Sequence, residues 1–136
     1  MRGTILALTL AILPLGAAAQ DAEDRSSIEA VISDQLADFA ARDMPGAWEE
    51  ASPMIQGLFG SPENFGRMVE NGYPMVWDNR NADFQELTDE GGRLRQTVRV
   101  DDADGRGWLL DYFMVETESG WKINGVQVRP APDLSA

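Results

Sequence analysis

The hydrophobic period of this chain changes at Gly72, and that change restricts the fold more than any other feature of the sequence. Before it, Ile28, Val31, Ile32, Leu36, Phe39 and Ala40 recur at spacings of three and four, which draws one apolar stripe along an amphipathic helix. After it, β-branched and aromatic residues alternate with polar ones between turn signals, as they do in half-buried strands. A chain that is helical first and then a run of strands on short turns lays its helices on one face of an antiparallel sheet. This is the α+β class.

Local signals set the expected boundaries. Ser26 with Glu29 reads as a capping box that starts the first helix, and Asp43 caps a second segment through Ala47, Trp48 and Ala51. Ser52-Pro53 and Ser61-Pro62-Glu63 repeat one device, a serine N-cap followed by proline where a helix needs no N–H. Helices over 53–59 and 62–71 follow, with Gly60 and Gly72 as their stops. Strands are expected over 73–77, 84–88, 94–100, 108–116 and 121–129, with turns over 79–83, 90–92, 101–107 and 117–120.

The N-terminal residues read as a leader. Arg2, the apolar run of residues 5–15 and Ala17-Ala18-Ala19 form the pattern of a secretory signal peptide, cleaved after Ala19. The apolar run is shorter than the ~20 residues that span a bilayer. The expected organisation is therefore a signal peptide over 1–19, one domain over 20–129 and a flexible tail over 130–136, in a periplasmic or secreted product. With no cysteine, that product gains its stability from packing alone.

Composition excludes several chemistries. The absence of His and Cys removes Ser-His-Asp and Cys-His nucleophiles, imidazole proton shuttles and His/Cys zinc sites. A formal charge of −12 repels phosphate backbones and anionic head groups, so no nucleic acid is expected as a partner, and no membrane after leader cleavage. No cofactor and no metal is expected. The acidic run Asp101-Asp102-Ala103-Asp104-Gly105 suggests a calcium loop, but the alignment places Val100 where a ligand is required, and it reads as an ordinary turn.

Ser52-Pro53, Phe59-Gly60-Ser61-Pro62, Met68-Val69, Gly72-Tyr73-Pro74 and Trp121-Lys122-Ile123-Asn124-Gly125-Val126 together resemble the exported bacterial family called domain of unknown function 4864. The resemblance covers nearly the whole mature chain. The order of elements also resembles the larger NTF2-like (cystatin-like, SnoaL-like) class, in which helices close a curved sheet into a cone. That implies a fold and a pocket, and no particular chemistry.

Strand pairing indicates which side chains enter such a cone. A hairpin through 101–107 sets Val100 opposite Trp108, Val98 opposite Leu110, Gln96 opposite Tyr112 and Leu94 opposite Met114, all on one face. Setting Glu116 opposite Trp121 adds Ile123, Gly125 and Gln127 to that face, with Gly125 against Tyr112. This concave face is apolar except for Gln96, Tyr112 and Gln127, which either converge on a ligand or satisfy one another inside a packed core. Trp48, Met54, Phe59, Phe65, Met68 and Tyr73 offer an aromatic and methionine-rich lining from the helices, or a plain core.

The opposite face carries Arg95, Thr97, Arg99 and Asp111 beside Leu109, Phe113, Val115, Val126 and Val128. Asp111 reads as an ion-pair partner of Arg95 and Arg99 rather than a general base. Three functions remain open. The leading one is an apolar small-molecule binder using Trp48, Gln96, Trp108, Tyr112 and Gln127. A second is an envelope interaction module that forms a homodimer through the convex face. The third is a cofactor-free isomerase or dehydratase, with Tyr112 as hydrogen-bond donor and Glu116, Glu49 or Glu50 as base; catalytic residues are assigned to none of them.

Overall fold

The structure, a computed structural model, describes Gly3 and residues 15–132, with side chains from Asp21 onward. The expected leader therefore lies outside the described residues, apart from Gly3 and the backbone of 15–19, and so do residues 133–136 of the expected tail. Among the described residues, helices α1 (Leu15–Ala40), α2 (Met44–Glu49), α3 (Pro53–Phe59), α4 (Pro62–Gly72) and α5 (Pro74–Trp77) come first. Strands β1 (Arg80–Glu90), β2 (Arg93–Asp101), β3 (Gly107–Thr117) and β4 (Gly120–Pro130) follow as an antiparallel meander. This is the α+β arrangement expected from the change of period, with a curved open sheet as in an NTF2-like cone. No helix among the described residues is long and apolar enough to cross a membrane.

The serine–proline devices work as the sequence implies. Ser52 Oγ accepts from the Ile55 N–H at 3.2 Å, and Ser61 Oγ from the Asn64 N–H at 3.2 Å. Asp43 caps α2 through Gly46 N–H at 3.0 Å. Gly91 and Gly92, at φ of 62° and 88°, give β1 and β2 a two-residue turn whose twist matches the strands.

Four expected boundaries are corrected. Ser26 lies inside α1, which continues upstream through an alanine-rich stretch of high helix propensity. Residues 73–77 form no strand, because Pro74 opens the short helix α5. Residues 79–83 form no simple turn: β1 starts at Arg80 and takes its irregularity as bulges, with Asn81 at φ 56°. Pro130 belongs to β4 rather than to a tail. It pairs with Trp108 on an edge strand, where its missing N–H is tolerated, and the Ala131 N–H donates to Gly107 O at 3.0 Å.

The core forms where the α1 stripe meets the sheet. Ile28, Ile32, Leu36 and Phe39 are at most 2% exposed and pack on Val98, Val100, Leu110, Tyr112, Met114 and Ile123. The β2–β3 register is the expected one at all four pairs.

The β3–β4 register starts as expected, with Glu116 opposite Trp121, and then slips at a bulge between the Met114–Ile123 and Phe113–Gly125 pairs. The extra residue is Asn124. It moves Val126 opposite Tyr112 and Val128 opposite Leu110, so both valines pack against the core instead of joining the convex face. Gln127 moves opposite Asp111, exposed on the convex side, and Gly125 faces Phe113 instead of Tyr112. The bulge is held from the helical side. The Ser52 N–H donates to Ile123 O at 2.8 Å, the Ile123 N–H to Glu50 O at 2.8 Å, and Ser52 Oγ–H to Asn124 Oδ1 at 2.8 Å.

Ser52 is 1% exposed, so its hydroxyl has no water to fall back on. Ser52→Ala is expected to lower unfolding free energy by about 1–3 kcal/mol, from a lost cap and a lost buried bond. Urea unfolding of Ser52→Ala, Asn124→Ala and the double variant checks this. A coupling of about 0.5–1.5 kcal/mol is expected, and strict additivity would show that the two side chains do not act together.

Candidate functional site

An apolar cavity of about 240 Å³ opens between the helices and β4. Gln35 and Phe39 line it from α1, Ile55, Leu58 and Phe59 from α3, and Phe65, Met68 and Val69 from α4. Ala51, Tyr73 and Val76 complete the lining together with Ile123, Gly125 and Val126 of β4. The bulge at Asn124 shapes this wall: it turns Val126 inward, and Gly125 beside it carries no side chain.

Phe65 anchors the aromatic side. Its ring lies 5.7 Å from Phe39, 5.7 Å from Trp48 and 5.8 Å from Phe59, all in tilted or edge-on contacts that favour a fixed wall. α3 is different in kind. None of its residues is fully buried, and Leu58 at the cavity mouth is 70% exposed.

Among the described residues that line the cavity, Gln35 and Tyr73 are the ones with polar side chains. Gln35 is 3% exposed, and its Nε2 donates to Ala47 O at 3.1 Å. Its carbonyl oxygen accepts no hydrogen bond among the described residues. Gln35 was not among the expected contacts, although the sequence carries a signal for it: it interrupts the apolar stripe between Ile32 and Leu36. A polar residue on a buried helix face calls for a partner.

The five expected contact residues are not brought together. Trp48 stands behind the cavity, edge-on to Phe65, and its carbonyl accepts from Gln56 Nε2 at 2.9 Å. Trp108 sits at the β2–β3 hairpin, donating to Asp102 Oδ2 at 2.9 Å with Arg106 over its ring. Gln96 and Tyr112 are fully buried under the helices, outside the lining, and Gln127 is on the far face of the sheet. Of the expected helical lining, Phe59, Phe65, Met68 and Tyr73 do face the cavity.

The polar trio is split accordingly. Gln96 Nε2 donates to Gln85 O at 3.1 Å and Thr97 O at 3.0 Å, bracing the bulged part of β1. The Tyr112 hydroxyl and Gln96 Oε1 are buried without a protein partner. Burial pushes the Tyr112 phenol far above its ordinary pKa, which keeps it protonated.

Among the described residues, no carboxylate lines the cavity. Glu49 and Glu116 are exposed, and Glu50 sits beyond the lining. Burial pushes the Glu50 carboxyl up; Lys122 opposes this, and Asp34, Asp38 and Glu49 reinforce it. A second depression, of about 430 Å³, lies at the β3–β4 hairpin among Glu49, Gln56, Glu118 and Lys122. It is half polar, and its lysine is already tied to Glu49 O at 2.7 Å. In the acidic turn, Asp102 Oδ1 accepts from the Asp104 and Arg106 N–H groups, both at 2.9 Å. With Trp108 on its other oxygen, this carboxylate serves the turn. Among the described residues, no group of three or more acidic side chains is arranged to hold a metal ion.

Asp111 faces Thr97 as expected, but it is 5% exposed, and its cation is Arg129 rather than Arg95 or Arg99. The Asn124 bulge brings Arg129 within reach, at 3.0 Å from Oδ2, and Thr97 Oγ1 donates to Oδ1 at 2.7 Å. Arg95 and Arg99 pair instead with Glu90 and Asp101. Burial alone would raise the Asp111 pKa. The hydrogen bonds from Arg129 and Thr97 and the charges of Arg129 and Arg95 outweigh it, and the carboxyl falls below the usual aspartate value.

A depressed folded-state pKa contributes stability that is present above the unfolded-state value and is lost as pH falls through the folded one. Asp111→Asn is therefore expected to cost about 1–3 kcal/mol at neutral pH. The deficit should begin to shrink below pH ~4, where the unfolded-state carboxyl protonates, and go on shrinking as pH falls through the depressed folded-state value. Thermal unfolding of both proteins between pH 7 and pH 2.5 tests this, and a deficit independent of pH would contradict the charged role.

No curated protein and no solved structure matches the chain. Residues 21–136 match the family described as Domain of unknown function (DUF4864), and the chain belongs to that family.

Proposed function

We propose that this domain is exported and binds a small, largely apolar molecule in the cavity beneath α3. The observation that carries the reading is the lining itself: about 240 Å³ walled by aliphatic and aromatic side chains, with Gln35 and Tyr73 as its polar groups. Small-molecule sites are usually apolar hollows with a few placed polar atoms. This one is below the ~300–1,000 Å³ typical of drug-sized ligands, so it suits a small molecule or one end of a longer one. Export is supported by the leader pattern of Arg2, the apolar run and Ala17-Ala18-Ala19, which also makes the periplasm or the exterior the expected place of action.

α3 offers the entrance. It buries no residue fully, it ends at Gly60 in the left-handed conformation, and it presents Met54 and Leu58 to solvent. Displacing it uncovers the cavity without breaking the α1–sheet core.

Native mass spectrometry of the protein purified gently from its own host is expected to show a bound small molecule. In solution, N-phenylnaphthylamine should fluoresce on binding the delipidated wild type. Met68→Trp, which fills the cavity, should weaken that binding about tenfold or more. Leu58→Asp should weaken it less, and should leave stability within about 0.5 kcal/mol because the residue is mostly exposed. Equal binding by wild type and Met68→Trp would remove the cavity as the site.

A further inference from the structure

We infer that the cavity selects a neutral, largely apolar molecule bearing a hydroxyl, which donates a hydrogen bond to the Gln35 carbonyl oxygen; the inference rests on the binding role proposed above. Ala47 O can only accept, so its 3.1 Å bond fixes the amide nitrogen of Gln35 on that side. The carbonyl oxygen is then the polar atom that this side chain, 3% exposed, offers to the cavity. It accepts no hydrogen bond among the described residues. The oxygen is not among the fully buried unpaired atoms, so water can reach it in the cavity; a ligand that displaces this water leaves the acceptor unpaired unless it supplies a donor of its own.

The same geometry rejects the common charged alternatives. A carboxylate would set its own acceptors against the Gln35 oxygen, and among the described residues no Lys or Arg lines the cavity to neutralise it. The chain's formal charge of −12 adds a repulsive field. An ammonium group would enter an apolar lining that holds no carboxylate. Tyr73 imposes no choice, since its hydroxyl both donates and accepts. An alcohol supplies the missing donor and brings no charge.

Displacement of N-phenylnaphthylamine from the delipidated protein by n-octanol, methyl octanoate, octanoate and octylammonium at neutral pH tests this. Octanol should displace at the lowest concentration. The ester, which lacks a donor, should require about 3–10-fold more, and each ion more than about tenfold. In Gln35→Leu the advantage of alcohol over ester should vanish, and the variant leaves Ala47 O its bond from the Glu50 N–H at 3.3 Å. Octanoate or the ester matching octanol on wild type would overturn the inference. So would an unchanged alcohol preference in Gln35→Leu, or a bound fluorophore that octanol does not displace. If Gln35→Leu does not fold, the wild-type series decides alone. A wild-type protein that does not bind the fluorophore would instead remove the binding role itself, and this inference with it.

Discussion

The junction between Ser52 and the Ile123–Asn124 segment is the interaction on which the remaining geometry depends. Three hydrogen bonds of 2.8 Å tie the linker between α2 and α3 to the outer edge of β4. They cover the backbone of an edge strand that would otherwise stand open to pairing with another chain. They also stabilise one extra residue in β4, and the side-chain period of two turns that single insertion into an exchange of faces. Val126 and Val128 go inward, Gln127 and Arg129 go outward. The cavity wall and the pairing of buried Asp111 with exposed Arg129, on opposite faces of the sheet, are two results of one local event.

Much of the fold was legible because local chemistry and global pattern agree in this chain. Ser52-Pro53 and Ser61-Pro62 state where α3 and α4 start, and the alternation from Leu94 to Met114 leaves the β2–β3 hairpin one register that buries its apolar set. The misses fall where two readings compete. Tyr73 to Trp77 is an apolar run too short for periodicity to separate helix from strand, and Pro74 at a helix start decides it. The slip in β4 did carry a sign, since a glycine inside a strand pattern often marks a bulge and Gly125 follows Asn124. Counting from the turn at Glu116–Trp121 gave no hint of it. The ligand-contact expectation was lost beyond that point, because Gln127 depended on unbroken alternation. Phe59, Phe65 and Met68 line the cavity as expected because that expectation depended on helical faces alone, whereas Met54 of α3 faces solvent.

Among the described residues, the apolar cavity lies toward β4 and α3, and Tyr112 and Gln96 are buried in the middle of the sheet outside its lining. Tyr112 and Gln96 show why the centre is ill suited to chemistry. Each is fully buried, and the amide nitrogen of Gln96 is spent on carbonyls of β1 and β2. The Tyr112 phenol is held protonated by desolvation, and among the described residues its hydroxyl has no hydrogen-bond partner to receive its proton. A hydrogen-bond donor buried in this way contributes to the shape of the core. A proton-transfer site needs a matched acid and base around open space, and the open space here is bordered by hydrocarbon.

The charge distribution bears on the same question. The carboxylates of Asp34, Asp38, Asp43, Glu49 and Glu50 crowd the α1–α2 side, and burial followed by mutual repulsion pushes the Asp38 and Glu50 carboxyls up. Such repulsion destabilises the compact state slightly and keeps the protein soluble. It also raises the potential energy of any anion that approaches. A neutral molecule is indifferent to that field, and on the binding role proposed above it would be held by contact area and one hydrogen bond, neither of which salt screens. If the cavity binds a ligand as proposed, the acidic surface and the uncharged lining would act as two filters in series, the first against anions at a distance and the second against any unpaired charge at the wall.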